Sequence, residues 1–289
     1  MILETQCKSA LSKHEHEFPT SWDVNPYRGC TMGCRYCFAQ YSHKYLNMSN
    51  FFSDIVVKTN IAEILYSELR KKTWKGEQIK LGGISDIYQH AEKKYKLLPQ
   101  LIDVLKKTRN PVFIQSKSTL ILRDFELIKE LAKYTTVDIA TSICTFDETA
   151  QKIIEPGAPS AQERMEMLSQ FTGICRHTIV SFMPVIPLIS DSDENLETTF
   201  RLTKEFGIDS IIAYPLHLRG NLKKPFLKLV QTHFSEIYFQ FSELYKTADL
   251  NEIYAADLFQ KISGIRHKYQ LYGSYSIVQP QDNQLSLFP

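Results

Sequence analysis

Apolar and polar positions along the chain follow two alternating periods. Residues 60–72 carry apolar side chains at 61, 64, 65 and 69, the spacing of a helix with one buried stripe. Short apolar runs follow at 79–83, which ends in Gly82 and Gly83, and at 111–115, 136–143, 177–184 and 209–214. Each has the length and the β-branched content of a buried strand. Between them the helical spacing returns at 94–108, at 124–134 with Asp124 at a capping position, at 160–172 and at about 193–206. Strands alternating with helices of that length predict parallel β/α units, so the fold class is α/β. One more strand, at 22–24 or 55–58, brings the count to six, short of the eight of a closed barrel. Residues 225–247 and 248–268 read as helical, and from about residue 272 periodicity fades into a flexible tail.

The pattern divides the chain into an N-terminal extension (1–21), a core (22–220), a helical C-terminal extension (221–271) and a tail (272–289). With 289 residues, 43% of them hydrophobic, one substantial core can form. No run reaches the eighteen or more apolar residues of a membrane span, so no membrane partner is expected. Lys plus Arg number 34 against 32 Asp plus Glu, a net charge of +2, so any nucleic-acid surface must come from local clustering. The six cysteines (7, 30, 34, 37, 144 and 175) are unevenly spaced and follow no apolar signal peptide. That usage predicts free thiols and a cytoplasmic location rather than disulfides.

Candidate chemistry gathers at two places. The first is the set of strand ends, where parallel β/α folds collect their working groups. Here these are Gly82, Gly83 and Asp86; Lys117 and Ser118; Ser142 and Cys144; Pro184 and Pro187; His217 and Arg219. Singly, each also reads as turn punctuation or an ordinary capping group. The second place is Cys30, Cys34 and Cys37, spaced C-x3-C-x2-C. Three thiolates are one fewer than the four that usually fill an iron–sulfur or zinc site. A cube of four irons held by three thiolates leaves one iron open for chemistry. A Cys3His zinc site completed by His43, six residues past Cys37, stands as the alternative.

With Tyr36 before the third cysteine, the spacing resembles that of the radical S-adenosylmethionine enzymes. Further segments extend the likeness: Asn25-Pro-Tyr-Arg-Gly-Cys30, Tyr36-Cys-Phe-Ala39, Gly83-Ile-Ser-Asp-Ile-Tyr-Gln-His-Ala-Glu92, Gln115-Ser-Lys-Ser118, Arg123-Asp124, Ser142, Ile154-Glu-Pro156 with Arg164, and Pro184-Val-Ile-Pro187. In this order, over about residues 22–220, they resemble the spore-photoproduct-lyase-like (DNA repair photolyase-like) branch of that superfamily. The chain departs from it at Ser85-Asp-Ile-Tyr-Gln-His90, where the branch commonly has Thr-Asp-Pro-Tyr-Gln-Pro.

The resemblance implies a partial (β/α)6 barrel with a [4Fe–4S] cluster at its mouth, held by Cys30, Cys34 and Cys37. It implies that the open iron binds S-adenosylmethionine, which is reductively cleaved to methionine and a 5′-deoxyadenosyl radical. Tyr36, Gly82, Gly83, Asp86, Lys117 and Ser142 are then the cofactor-binding residues, with the glycines at the methionine moiety and Ser142 at the ribose. An electron donor such as flavodoxin or ferredoxin and a nucleic-acid substrate are the implied partners. In the lyase that gives this branch its name a cysteine returns a hydrogen atom to the repaired thymine. Cys144, two residues past Ser142, could take that role by pointing into the barrel, or could be a plain core cysteine. Tyr88, inside the polar loop, is the tyrosine assigned to catalysis.

The terminal Gln284, Leu285, Ser286, Leu287 and Phe288 resemble the bacterial sliding-clamp-binding pentapeptide. Two Leu and a Phe can fill apolar pockets while Gln hydrogen-bonds at the entry, although the peptide could instead dock on its own domain. Upstream, Lys261, Arg266, His267 and Lys268 with Tyr269 and Tyr272 can bind phosphates and bases, or can form a solvated helix face. The expectation is a radical enzyme that repairs or modifies a DNA base and is recruited by the sliding clamp. Two alternatives stay open: a radical enzyme acting on RNA, a peptide or a small metabolite, and a non-catalytic iron–sulfur binding or redox-sensing protein.

Overall fold

The structure is a computed structural model that describes residues 1–13, 22–46 and 48–272. In chain order, β1 (Ile2–Thr5), β2 (Leu11–Lys13), β3 (Trp22–Val24) and β4 (Tyr27–Arg28) lead into the cysteine loop and a 3-10 segment (Phe38–Leu46). Then come β5 (Ile55–Lys58), α1 (Ile61–Leu69), β6 (Ile79–Leu81), α2 (His90–Tyr95), α3 (Leu97–Thr108), β7 (Val112–Gln115), α4 (Phe125–Leu131) and β8 (Val137–Ser142). The alternation continues through α5 (Glu148–Ile154), α6 (Ala161–Ser169), β9 (His177–Val185), α7 (Asp193–Glu205) and β10 (Ser210–Pro215). The C-terminal extension is built from α8 (Lys223–His233), α9 (Tyr238–Leu244) and α10 (Glu252–Tyr269).

The main sheet runs β10-β9-β8-β7-β6-β3-β2. Every pairing in it is parallel except that of β2, which lies antiparallel to β3 at the edge. Six parallel strands thus form an open, partial barrel, and among the described residues its edges β10 and β2 do not pair. The sixth parallel strand is 22–24. Residues 55–58 instead join a second sheet, parallel to β1 and antiparallel to β4. Strand β8 is buried at all six positions: it lies inside the sheet between β7 and β9, with α6 packed on it. Its one charged residue, Asp138, is satisfied by Arg176 at 2.8 Å and by Gln78 at 2.7 Å.

The helices differ from the sequence expectation where a single residue breaks them. The stretch 94–108 is split by Lys96, whose φ of 48° ends α2 and lets α3 start in a new direction. Residues 225–247 are interrupted at Phe234, with φ −139°, between α8 and a short 3-10 turn. Asp124 does not cap α4. Its carboxylate takes the charged hydrogen bonds of Arg123, at 2.9 and 2.6 Å, and a guanidinium outcompetes a neutral amide. Helix α3 buries Leu97, Leu98, Leu101, Ile102, Val104 and Leu105, each contributing roughly 1.5–3 kcal/mol of apolar burial. Helix α5 was not anticipated. Asp147 starts it by accepting from the amides of Thr149 (2.8 Å) and Ala150 (3.1 Å).

Candidate active site

The cysteine loop begins at a turn that only glycine permits. Gly29 has φ +81°, and a Cβ there would stand 2.3 Å from the Asp54 carbonyl. The turn lets the Cys30 amide reach the Phe51 carbonyl at 2.9 Å. Cys30 and Cys34 are buried and Cys37 is half-buried, in a small apolar cluster with Met32, Ala39 and Phe51 that is separate from the main core. On one side Gln89 clamps the loop, donating to the Gly29 carbonyl (2.9 Å) and accepting from the Thr31 amide (3.2 Å). On the other, the segment that ends α5 forms a buttress. Arg35 donates its amide to the Ile154 carbonyl (2.8 Å) and Gly157 donates to the Met32 carbonyl (2.9 Å). A Cβ on Gly157 would meet the Thr31 carbonyl at 2.3 Å, so this close approach requires glycine.

Strand ends β6 and β7 deliver the next residues. The Asp86 amide donates to the Cys30 sulfur at 3.4 Å. The Asp86 carboxylate accepts from the Ser116 hydroxyl (2.7 Å), the Tyr88 amide (2.9 Å) and the Lys117 amide (2.7 Å). Burial raises its pKa even against those bonds. Gly82 takes φ +92°, and a Cβ on Gly83 would fall 2.0 Å from the Asp23 carboxylate. The glycine pair therefore lets the chain pass close to that carboxylate at the end of β6.

Beneath the cysteine loop lies a buried charge nest. Glu155 and Arg164 are both 0% exposed and pair at 2.7 Å. Glu155 also accepts a short hydrogen bond from the Tyr36 hydroxyl and has the Lys117 ammonium at 3.8 Å. Arg164 donates in addition to the Ser142 carbonyl at 2.6 Å, which fixes the end of β8. Burial alone would raise the Glu155 carboxyl. Arg164, Lys117 and the hydrogen bonds from Tyr36 and Arg164 outweigh it and hold the group below the usual glutamate range. Lys117 lies 5.8 Å from the Tyr36 ring, and the Cys34 and Glu155 charges beside it raise its pKa against the opposing effect of burial. Cys144 is fully buried next to Glu155 and Arg164, and burial pushes its thiol well up.

The three clustered thiols fit an iron–sulfur cube better than a single ion. Among the described residues no three His, Cys, Asp or Glu are arranged to hold one metal ion. A cube does not need that convergence, because each thiolate takes a different iron. His43, the candidate fourth zinc ligand, instead hydrogen-bonds the Asp54 carbonyl through Nε2 at 2.8 Å and packs edge-on against Phe51. Burial pushes Cys30 up to about 12 and raises Cys34 and Cys37 as well, so these sites favour thiols until iron charge stabilises the thiolates.

Of the residues singled out from sequence, Tyr36, Asp86, Lys117, Ser142 and Cys144 meet around the cysteine loop, with Gly82 and Gly83 leading into it. Tyr88 does not join them. It is 1% exposed, lies 5.9 Å from Arg123, and its phenol is raised by burial and by Asp124. Gln284 through Phe288 lie outside the described residues. In the basic–aromatic cluster, Lys268 pairs with Glu197 at 2.5 Å, Tyr269 bonds the same carboxylate, and Arg266 donates to the Ile211 carbonyl at 3.0 Å. These contacts anchor α10 to the core. The sequence reading quoted Glu155 and Arg164 but gave them no role. The usable signal was a lone carboxylate closing the apolar end of a helix, at Ile153-Ile154-Glu155.

Comparisons with known proteins give the family and the fold. The profile of the radical SAM superfamily matches residues 24–201. An uncharacterized protein of Mycobacterium tuberculosis is 34% identical over 286 residues, covering 96% of this chain and 84% of the relative. Another, from Methanocaldococcus jannaschii, is 32% identical over 170 residues, covering 58% of this chain and 61% of the relative. Among solved structures, a spore photoproduct lyase variant with bound AdoMet and dinucleoside spore photoproduct superposes with a TM-score of 0.68 at 12% identity. The match covers 93% of this chain and 79% of that one.

Proposed function

The chain belongs to the radical SAM superfamily, and from that membership we propose that it repairs or modifies a base of nucleic acid. Membership implies an enzyme with a [4Fe–4S] cluster and S-adenosylmethionine as its cofactors. When bound, these supply one-electron reductive cleavage of the sulfonium and a carbon radical able to abstract a hydrogen atom. The observation that carries the reading is the buried cysteine loop, clamped over the strand ends by Gln89 on one side and Glu155 on the other. Cys30, Cys34 and Cys37 are the residues that would hold the cluster, three thiolates for four irons. Tyr36, Gly82, Gly83, Asp86, Lys117 and Ser142 are the residues that would bind S-adenosylmethionine. Lys117 brings a positive charge that suits a carboxylate, and the Arg164–Glu155 pair keeps Tyr36 and the end of β8 in position. Burial under the loop keeps water from the reacting centre, and Cys144 is the candidate hydrogen-atom donor.

A nucleic-acid substrate is favoured by the fold likeness to a lyase structure that holds a dinucleoside photoproduct. The peptide from Gln284 to Phe288 supports recruitment by the bacterial sliding clamp. The test supplies the reduced holoenzyme with ultraviolet-irradiated DNA, undamaged DNA, RNA or a peptide and follows S-adenosylmethionine consumption and base composition. Irradiated DNA is expected to raise consumption and to lose its thymine adducts. A response to peptide alone overturns the reading.

A further inference from the structure

Beside the cysteine loop, on its outer side, a cleft of about 490 Å³ opens between the loop, α5 and α8. Three of its lining residues are cationic, Arg35, Lys152 and Lys228, and His233 lies beside them. No acidic side chain lines it among the described residues. Lys152 shares an exposed ion pair with Glu148 at 3.3 Å. The floor is apolar, made chiefly by Phe52, Ile153 and Leu229. Gln40 and Thr232 add polar groups at the wall, and Gln40 is fixed by its bond to the Cys37 carbonyl at 3.1 Å.

We propose that this cleft binds a nucleotide unit, with the cationic rim on the phosphate and the apolar floor under the base. The volume lies within the range of ligand pockets, and an apolar floor with a few convergent polar groups is their usual make-up. A rim of one charge sign in a concave wall focuses its field on an anion. A protein partner fits less well, because docking surfaces are broad and bury roughly 800 Å² per side rather than filling a recess. The inference rests on the nucleic-acid reading above and adds to it a place where the strand is gripped, next to the cluster ligands. The same chemistry could be presented by a free nucleotide or by one unit of a strand.

Fluorescence anisotropy on the holoenzyme separates these cases, with a labelled single-stranded oligodeoxynucleotide, AMP as competitor and a reduced acidic ferredoxin as a further probe. Lys228→Glu is expected to weaken oligonucleotide binding about tenfold and to lower the salt slope by about 1. Leu229→Trp, which fills the floor without altering charge, is expected to weaken it also. Lys204→Glu, an exposed position on α7 that does not line the cleft, is expected to bind as the wild type does. Thermal melting checks that each variant is folded. Loss confined to AMP binding supports the cleft with free nucleotide as its ligand. Equal binding by the wild type, Lys228→Glu and Leu229→Trp overturns the cleft while leaving the nucleic-acid reading intact, as does an equal loss in Lys204→Glu. Loss of ferredoxin binding alone assigns the cleft to an electron donor and overturns the proposal. No binding of any nucleic acid or nucleotide by the wild type removes the nucleic-acid reading itself.

Discussion

Two buried glutamates, Glu155 and Glu92, are each served by one tyrosine and one arginine, yet they do different work. Glu92 accepts from Tyr27 at 2.5 Å and from Arg123 at 2.6 Å, and also from the amides of Leu97 (3.0 Å) and Leu98 (3.2 Å). Those amides are the free first donors of α3, whose own cap residue, Lys96, offers no side-chain bond. Glu92 is therefore a helix cap reached from the preceding helix. Glu155 accepts from side chains drawn from the cysteine loop and from α6, with the Lys117 ammonium of the β7 end close by. It ties separate elements together under the thiols. The same residue types make a cap where backbone amides point in, and a brace for the cysteine loop where the thiols lie overhead.

The largest difference between the two should appear on neutralising them. Glu155→Gln leaves Arg164, which is 0% exposed, without its charge partner and is expected to cost about 3–5 kcal/mol in urea unfolding. Glu92→Gln leaves Arg123 at 25% exposure with Asp124 still paired, and about 1–3 kcal/mol is expected. Equal losses would break the comparison.

Acid titration sharpens it. The Glu155 carboxyl is held below its ordinary value of 4.5, so its contribution is complete above that pH and is lost as the pH falls through the lower folded value. Stability curves against pH should show that acid limb in the wild type and lack it in Glu155→Gln.

Next in size are the tyrosines. Tyr36→Phe and Tyr27→Phe each remove one bond to a buried carboxylate, at about 1.5–3 kcal/mol. Only Tyr36→Phe should alter the electron paramagnetic resonance spectrum of the reduced cluster, and a change in both would deny the division of roles.

The smallest effects separate two buried cysteines. Cys144→Ala and Cys175→Ala should each cost about 1 kcal/mol. Only Cys144→Ala is expected to impair product formation while sparing S-adenosylmethionine cleavage, and normal product yield would remove Cys144 from the mechanism.

Much of this was legible in the sequence because it rests on local periodicity. The apolar runs of β6 through β10 and the stripes of α1, α3 and α7 carry their own signal. The three-residue β3 was recoverable only as one of two options, since pairing with β6 rather than with β1 is a long-range choice. Strands β1, β2 and β4 have two to four residues and were not anticipated, being too short for any period to register. The site was readable as far as Cys30, Cys34 and Cys37, whose spacing is itself the signal. The braces at Glu155–Arg164 and Gln89–Gly29 were not, because each pair joins residues that fall on no common helix or strand face. Tyr88 shows what sequence reading does not place. It lies within a polar loop, yet its ring is buried beside Arg123 and Asp124.

The central claim is that the cysteine loop holds a cluster whose open corner takes S-adenosylmethionine. The most direct measurement is anaerobic reconstitution with iron and sulfide, reduction, and assay of 5′-deoxyadenosine in the wild type and in Cys34→Ala. The account predicts about four irons per chain and steady 5′-deoxyadenosine formation in the wild type. It predicts loss of both in Cys34→Ala. A fully loaded, reduced wild-type cluster that leaves S-adenosylmethionine intact would contradict it.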